Sequence, residues 1–298
     1  LSKAIDNISK YDAWILAARP KTLLAAFVPV IVGSSLAAFD NYFQPLAAVT
    51  ALICAVLIQT GTNFVNDLYD FLTGKDTKDR LGPSRAVASG IITPKEMRLG
   101  IIIIFSITFL LGLYLVYLGG WPILVIGLIS IGAGFAYTAG PFPLAYNGLG
   151  DIFVFLFFGF VGTVGTYYVQ TLHLAPIAFW ASIPVGALIT NILVINNYRD
   201  RDEDRQNGKN TLAVIFGENF ARLQYVAFMI VSYAVLVLVY FTFKKSLFVF
   251  LPMISFPIAF KLVKMIYTLK GTDLNKTLEL TAKLSAIYGV LFALGILL

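Results

Sequence analysis

Two short runs of this chain carry side chains whose types and spacing suit the binding of a polyanion through a divalent cation. The first is Asn63-Phe64-Val65-Asn66-Asp67-Leu68-Tyr69-Asp70, continuing through Asp76, Asp79 and Arg85. The second is Asn196-Asn197-Tyr198-Arg199-Asp200-Arg201-Asp202-Glu203-Asp204, continuing to Lys209. Together they hold half of the 16 acidic residues. Residues four apart on a helix share a face. Asn66 and Asp70 therefore form one row, Asn63 and Asp67 an adjacent strip, and Asn196, Asp200 and Asp204 a third row. Like charges stacked on one face call for a counter-charge. Hard oxygen ligands of this kind suit Mg²⁺, which is commonly held by one or two carboxylates plus substrate phosphate oxygens. Arg85, Lys209 and Lys75 are placed to clamp the remaining phosphate charge.

An acid- and base-rich loop on the surface would look similar in either run alone. Two features favour a shared cation site. The amides sit one turn deeper than the acids, inside apolar helices, where polar groups are costly and usually functional. The pattern also repeats with four helices between, so both runs point to the same side.

The elements that must hold these residues are membrane helices. The chain has 298 residues, 58% hydrophobic and 13% charged, against about 25% charged in soluble chains. Charge-free runs extend from Thr22 to Phe39, Asn41 to Asn66, Leu99 to Gly150 and Ile152 to Tyr198. A bilayer core needs about 20 apolar residues in a helix. The two longest runs must fold into hairpins, at Gly119-Gly120-Trp121-Pro122 and at His173 to Pro176. The pattern predicts an all-α integral membrane protein of one domain over 1–298. Its nine transmembrane helices fall near 22–38, 46–66, 99–118, 122–139, 152–171, 176–197, 223–243, 247–267 and 280–298. Lys and Arg favour cytoplasmic loops. With the N-terminus in the cytoplasm, every Lys and Arg except Lys244 and Lys245 falls inside. The net charge of +6 is then explained by topology, so the expected surroundings are a lipid bilayer and not nucleic acid. Cys54 is the single cysteine, which excludes an intramolecular disulfide. The residues before Arg19 are mixed and polar, unlike a cleavable signal peptide.

Other polar positions read less sharply. Asp151 opens a helix, where an acid complements the dipole or joins the site. Tyr69, Phe71 and Tyr137 lie near the acids, where they either pack or turn π faces toward a developing cation. His173 reads as a solvated residue of an outer hairpin.

The chain resembles the UbiA superfamily of intramembrane prenyltransferases, and within it the naphthoate branch. The residues that carry the resemblance are Arg19-Pro20-Lys21-Thr22, Asn66-Asp67-Leu68-Tyr69-Asp70, Gly74-Lys75-Asp76 and Asp79 to Arg85. Further on they are Tyr137 to Leu144, Asn147-Gly148-Leu149-Gly150-Asp151, Asn196 to Asp200 and Asn207 to Leu212. Gly74 stands where many members carry a third acid, which here comes at Asp76; the naphthoate branch shares this offset. The resemblance implies a UbiA-type helical bundle in the plasma membrane, multi-pass, with its active site toward the cytoplasm. It implies transfer of a polyprenyl chain from polyprenyl diphosphate to 1,4-dihydroxy-2-naphthoate, with loss of CO₂ and diphosphate, giving demethylmenaquinol. The implied cofactor is Mg²⁺ on Asn66, Asp67, Asp70, Asp76, Asp200 and Asp204. Asp70, Asp200, Arg85 and Lys209 would act in catalysis. Asn63, Arg19, Lys21, Lys75, Arg85, Asn196, Arg199, Tyr69, Tyr137 and Asp151 would bind substrate. Another aromatic acid such as 4-hydroxybenzoate is the alternative acceptor. A secondary transporter is a more distant reading, disfavoured because the acids lie at one membrane face rather than near the midplane.

Overall fold

The computed structural model describes residues 9–75 and 85–298, without the side chain of Lys21. Among the described residues there is no strand. We label the helices α1 (Lys10–Ala18), α2 (Pro20–Phe39), α3 (Pro45–Leu72), α4 (Pro94–Gly119), α5 (Trp121–Ala136), α6 (Gly150–Thr171), α7 (Pro176–Arg199), α8 (Arg201–Gln206), α9 (Leu212–Phe216), α10 (Glu218–Phe243), α11 (Leu247–Thr268) and α12 (Leu274–Leu297).

All nine expected helices are present, and eight are long and apolar enough to cross a membrane. The ninth, α5, has 16 residues, or about 24 Å at 1.5 Å per residue, short of a ~30 Å hydrocarbon core. The expectation of a span to 139 fails because Gly140 (φ 90°) and Pro141 and Pro143 turn the chain away.

Helix ends are set by capping chemistry, so several helices run past the apolar stretches. Pro sits at the start of α2, α3, α4 and α7, where its missing N–H is harmless. At α4 Thr93 and Glu96 form a capping box: the Glu96 N–H donates to Thr93 Oγ1 and the Thr93 N–H to Glu96 Oε2. That draws Lys95, Glu96 and Arg98 into the helix, five residues before the expected start. Both expected hairpins form. Gly120 (φ 71°) joins α4 to α5, and Leu172 (φ 61°) ends α6.

α7 is the centre of the bundle, with every residue from Pro184 to Ile192 buried. α6 is not a uniform helix, because Phe155–Val161 is a π-helix. The residues of α6 that face the internal cavity include Phe153, Phe157, Val161, Gly165 and Val169, spaced by four. An α-helix advances about 100° per residue, so a four-residue stripe drifts about 40° per step. The wider i→i+5 turn takes up that drift and keeps the stripe on one wall.

Candidate active site

The end of α3 delivers Asn66 and Asp70 to one face, as the four-residue spacing requires. Opposite them stands Arg85, at the start of the segment before α4. Its Nη2 donates to Asn66 Oδ1 at 3.1 Å and to Asp70 Oδ2 at 2.8 Å. The pair is buried, with side-chain exposures of 6% for Arg85 and 1% for Asp70. Lys209 Nζ lies 3.3 Å from Asp70 Oδ1, and the Tyr146 hydroxyl donates to that same oxygen.

Tyr146 ties the two acid runs together. Lys75 Nζ stands 4.5 Å and Lys209 Nζ 5.0 Å from its ring centroid, an arrangement its π face stabilises. Its carbonyl accepts the Asn210 N–H at 2.9 Å. Lys75 Nζ donates to the Asn207 carbonyl at 3.0 Å, and Asn207 Nδ2 donates back to the Lys75 carbonyl at 3.3 Å. Burial, with Lys209 nearby, holds the Lys75 ammonium below the usual lysine range.

At the end of α7, Arg199 grips Asp200 with Nε and Nη2, each at 2.6 Å. Nη2 also donates to Asn196 Oδ1 at 2.9 Å, and Nη1 to Asn275 Oδ1 on α12 at 2.6 Å. Asp204, on α8, is buried. Desolvation pushes its carboxyl up to about 7; Lys209 pulls it down, while Asp200, Glu203 and Asp70 push it further up.

These groups share one cavity of about 2530 Å³. Arg19, Asn66, Asp70, Lys75, Arg85, Tyr137, Asn196, Arg199, Asp200, Asp204 and Lys209 all line it. The sequence reading missed Tyr146 and Asn275. Tyr146 sat between the Tyr137–Leu144 and Asn147–Asp151 motifs, in a loop where an aromatic had no pattern to mark it. Asn275 lies ahead of the expected start of the last helix.

Four expected site residues play other parts. Asp67 borders the cavity, but its two carboxylate oxygens accept the backbone N–H groups of Ala86 (3.0 Å) and Val87 (3.1 Å). It anchors the segment that carries Arg85. Asn63 also borders the cavity, yet its Nδ2 donates to the Ala18 carbonyl at 2.9 Å, pinning α1 to α3. Asp151 is off the cavity. It accepts from Asn197 Nδ2 at 3.3 Å and Gln224 Nε2 at 2.9 Å, linking α6 to α7 and α10. Tyr69 is also off the cavity, packed with Trp14 against the Phe64–Met97 cluster. Asp76 and the Lys21 side chain lie outside the described residues. His173 is exposed, as expected, and its Nε2 lies 2.9 Å from the Tyr167 hydroxyl.

Among the described residues no three His, Cys, Asp or Glu side chains stand close enough together to hold a metal ion. The acids are matched instead by nearby cations. Asp70 meets Arg85 and Lys209, and Asp200 meets Arg199. The donor set is oxygen only, from Asn66, Asp70, Asn196, Asp200 and Asp204, and it faces one cavity mouth. That chemistry fits a hard divalent cation arriving with an anionic substrate.

Residues 26–287 match the model of the UbiA prenyltransferase family. A protein of Escherichia coli named 1,4-dihydroxy-2-naphthoate octaprenyltransferase is 38% identical, over 98% of this chain and 97% of that protein. A Bacillus subtilis protein of the same name is 31% identical over 94% of this chain and 90% of that protein. The fold resembles a UbiA homolog from Aeropyrum pernix (TM-score 0.73, 14% identity, 93% and 98% coverage). It also resembles a UbiA homolog from Archaeoglobus fulgidus bound to GPP and Mg²⁺ (TM-score 0.67, 15% identity, 96% and 99% coverage). A helical bundle with acids, amides and cations gathered along one cavity is thus found in a chain that belongs to the UbiA prenyltransferase family.

Proposed function

We propose that the protein transfers a polyprenyl group from polyprenyl diphosphate to 1,4-dihydroxy-2-naphthoate, releasing diphosphate and CO₂ and leaving demethylmenaquinol. The observation that carries this reading is the union of two amide–carboxylate rows and four basic side chains at the mouth of one largely apolar cavity. The naphthoate relatives named above support the choice of acceptor.

Asn66, Asp70, Asn196, Asp200 and Asp204 would hold Mg²⁺, with Asp76 joining them by sequence position. The bound metal supplies neutralisation of the diphosphate charge. Arg85, Lys209 and Arg199 exchange their carboxylate partners, and Lys75 its backbone carbonyl, for phosphate oxygens and stabilise the leaving group as its charge grows. The C–O bond to the diphosphate breaks, and the allylic fragment is left between apolar walls. Tyr137 and Tyr146 line the cavity there, and the apolar walls keep out water that would quench the cation. Arg19, on the cavity wall, receives the acceptor carboxylate. The new C–C bond forms at the ring carbon that bears the carboxylate. The electron pair of the departing C–CO₂ bond then restores aromaticity, so no strong general base is needed there. With the N-terminus cytoplasmic, this mouth opens toward the cytoplasm from the plasma membrane.

The test uses acceptor labelled at the carboxylate carbon. The expected result is unlabelled prenylated product and an equal amount of labelled CO₂. Product that retains the label would exclude decarboxylative transfer. Faster turnover of 4-hydroxybenzoate would move the protein to that acceptor.

A further inference from the structure

The cavity does not end at the acids. Its lining on α3 runs from Asp70 back to Ala51, roughly 28 Å at 1.5 Å per residue, which is close to the ~30 Å depth of a bilayer core. A diphosphate and one aromatic ring fill only its mouth.

Glycines serve two purposes around this space. Some close helix contacts: a Cβ on Gly61 would meet Phe105 at 2.7 Å, one on Gly134 would meet Thr62 Oγ1 at 2.6 Å, and one on Gly289 would meet Val28 at 2.5 Å. These seal α3 to α4, α3 to α5 and α2 to α12. Gly112, Gly127 and Gly165 differ. All three line the cavity, and a Cβ on any of them would meet nothing within 4 Å. They come from three helices at one depth. Gly112 lies seven residues before the end of α4, Gly127 six after the start of α5, and Gly165 six before the end of α6. Each is about 9–10 Å from the helix ends remote from the acids. Beside them Phe109, Leu113 and Leu128 line the cavity and are 42%, 43% and 51% exposed.

We propose that Gly112, Gly127 and Gly165 set the length of prenyl chain the protein accepts, by keeping a passage through which the distal isoprene units run from the mouth toward the bilayer. This rests on the prenyl-transfer reading above. Hydrocarbon tails of the bilayer are as apolar as the passage wall, so a long tail gains little by staying inside. The passage therefore governs which lengths fit rather than how tightly the head binds. A lipid acyl chain has the same chemistry and could fill the space, so the experiment must separate the two occupants.

Full-length wild type, Gly127→Leu and Gly165→Leu are reconstituted and given 1,4-dihydroxy-2-naphthoate with geranyl or octaprenyl diphosphate. Gly132→Leu is the control: Gly132 is on α5, exposed and off the cavity, and its Cβ would also meet nothing within 4 Å. The ratio of octaprenyl to geranyl kcat/KM should fall at least tenfold in both cavity variants and stay within twofold in the control. Thermal unfolding establishes that each variant is folded, and a graded Val series at 127 and 165 replaces any Leu variant that is not. Wild-type ratios in folded cavity variants would overturn the proposal and leave an acyl chain as the occupant. Equal losses with both donors would overturn it too, by placing the effect at the mouth. A wild type inert with both donors would instead overturn the prenyl-transfer reading itself.

Discussion

Arg85 donates to Asp70 across 2.8 Å, from a position fifteen residues further along the chain. Asp67 fixes that approach by holding the N–H groups of Ala86 and Val87. The site thus has a contact pair, Asp70–Arg85, beside a backbone clamp, Asp67 on Ala86 and Val87, the two acids standing three residues apart on α3.

Asp70→Asn removes the charge that Arg85 and Lys209 face while keeping the side-chain volume. We expect turnover to fall by about a hundredfold or more, in line with losing one preorganised electrostatic contact. The variant should remain folded in detergent, as read by thermal melting. Full activity would remove Asp70 from the chemistry.

Asp67→Asn should act differently. One of its two acceptors becomes an NH₂ group facing a backbone N–H, leaving a buried donor unpaired at a cost of about 1–3 kcal/mol. The expected outcome is a lower melting temperature and a raised KM for the prenyl donor, because Arg85 loses its fixed position. A drop in kcat with unchanged stability would return Asp67 to the metal ligands.

Asp151→Asn should keep turnover within about twofold of wild type and change stability by about 1 kcal/mol, the scale of one hydrogen bond. Asp151 does not line the cavity; it links Gln224 to Asn197, whose side chain borders it. Loss of turnover in a fully stable variant would place it back in the site.

Mg²⁺ binding should strengthen with pH. Burial holds the Asp204 carboxyl near 7, far above an unfolded aspartate, so without metal it is largely protonated below that pH. A cation must displace the proton, and binding is proton-linked. Titrating Mg²⁺ at fixed prenyl diphosphate between pH 6 and 8 should show the apparent Kd falling as pH rises, flattening above about 7.5. Asp204→Asn should remove the slope. A Kd independent of pH in wild type would argue that Asp204 carries no metal.

Topology has its own check. In a Cys54→Ala background, cysteines placed at Arg205 and at Lys245 should label from opposite sides of the membrane, with 205 cytoplasmic. Labelling from one side would break the expected orientation.

The helices were legible because an apolar run long enough to cross a bilayer has few alternatives. Their ends were less so: Thr93 and Glu96 extend α4 past the apolar stretch by capping, which hydropathy does not register. The Asn66–Asp70 row was legible from helical spacing alone, whereas Asn196 and Asp204 fall on two helices, α7 and α8, with Asp200 capping the break between them. Spacing gives a residue its face but not its neighbour. Asp67 met a backbone segment, Asn63 met the Ala18 carbonyl and Asp151 met Gln224, each brought in from a distant part of the chain. Tyr146 escaped for the same reason, since only the folded loop sets it against Asp70.

The π-helix of α6 makes the bundle sensitive to counting rather than to chemistry. Deleting one residue within Phe155–Val161 would leave every remaining side chain chemically intact. If the segment then closed into an ordinary α-helix, everything beyond it would rotate by about 100° and slide about 1.5 Å. Gly165 and Val169 would leave the cavity wall, while Phe153 kept its place. The two halves of α6 are thus phased against each other by a single residue, and a length change there would separate head recognition from tail passage without altering a polar group.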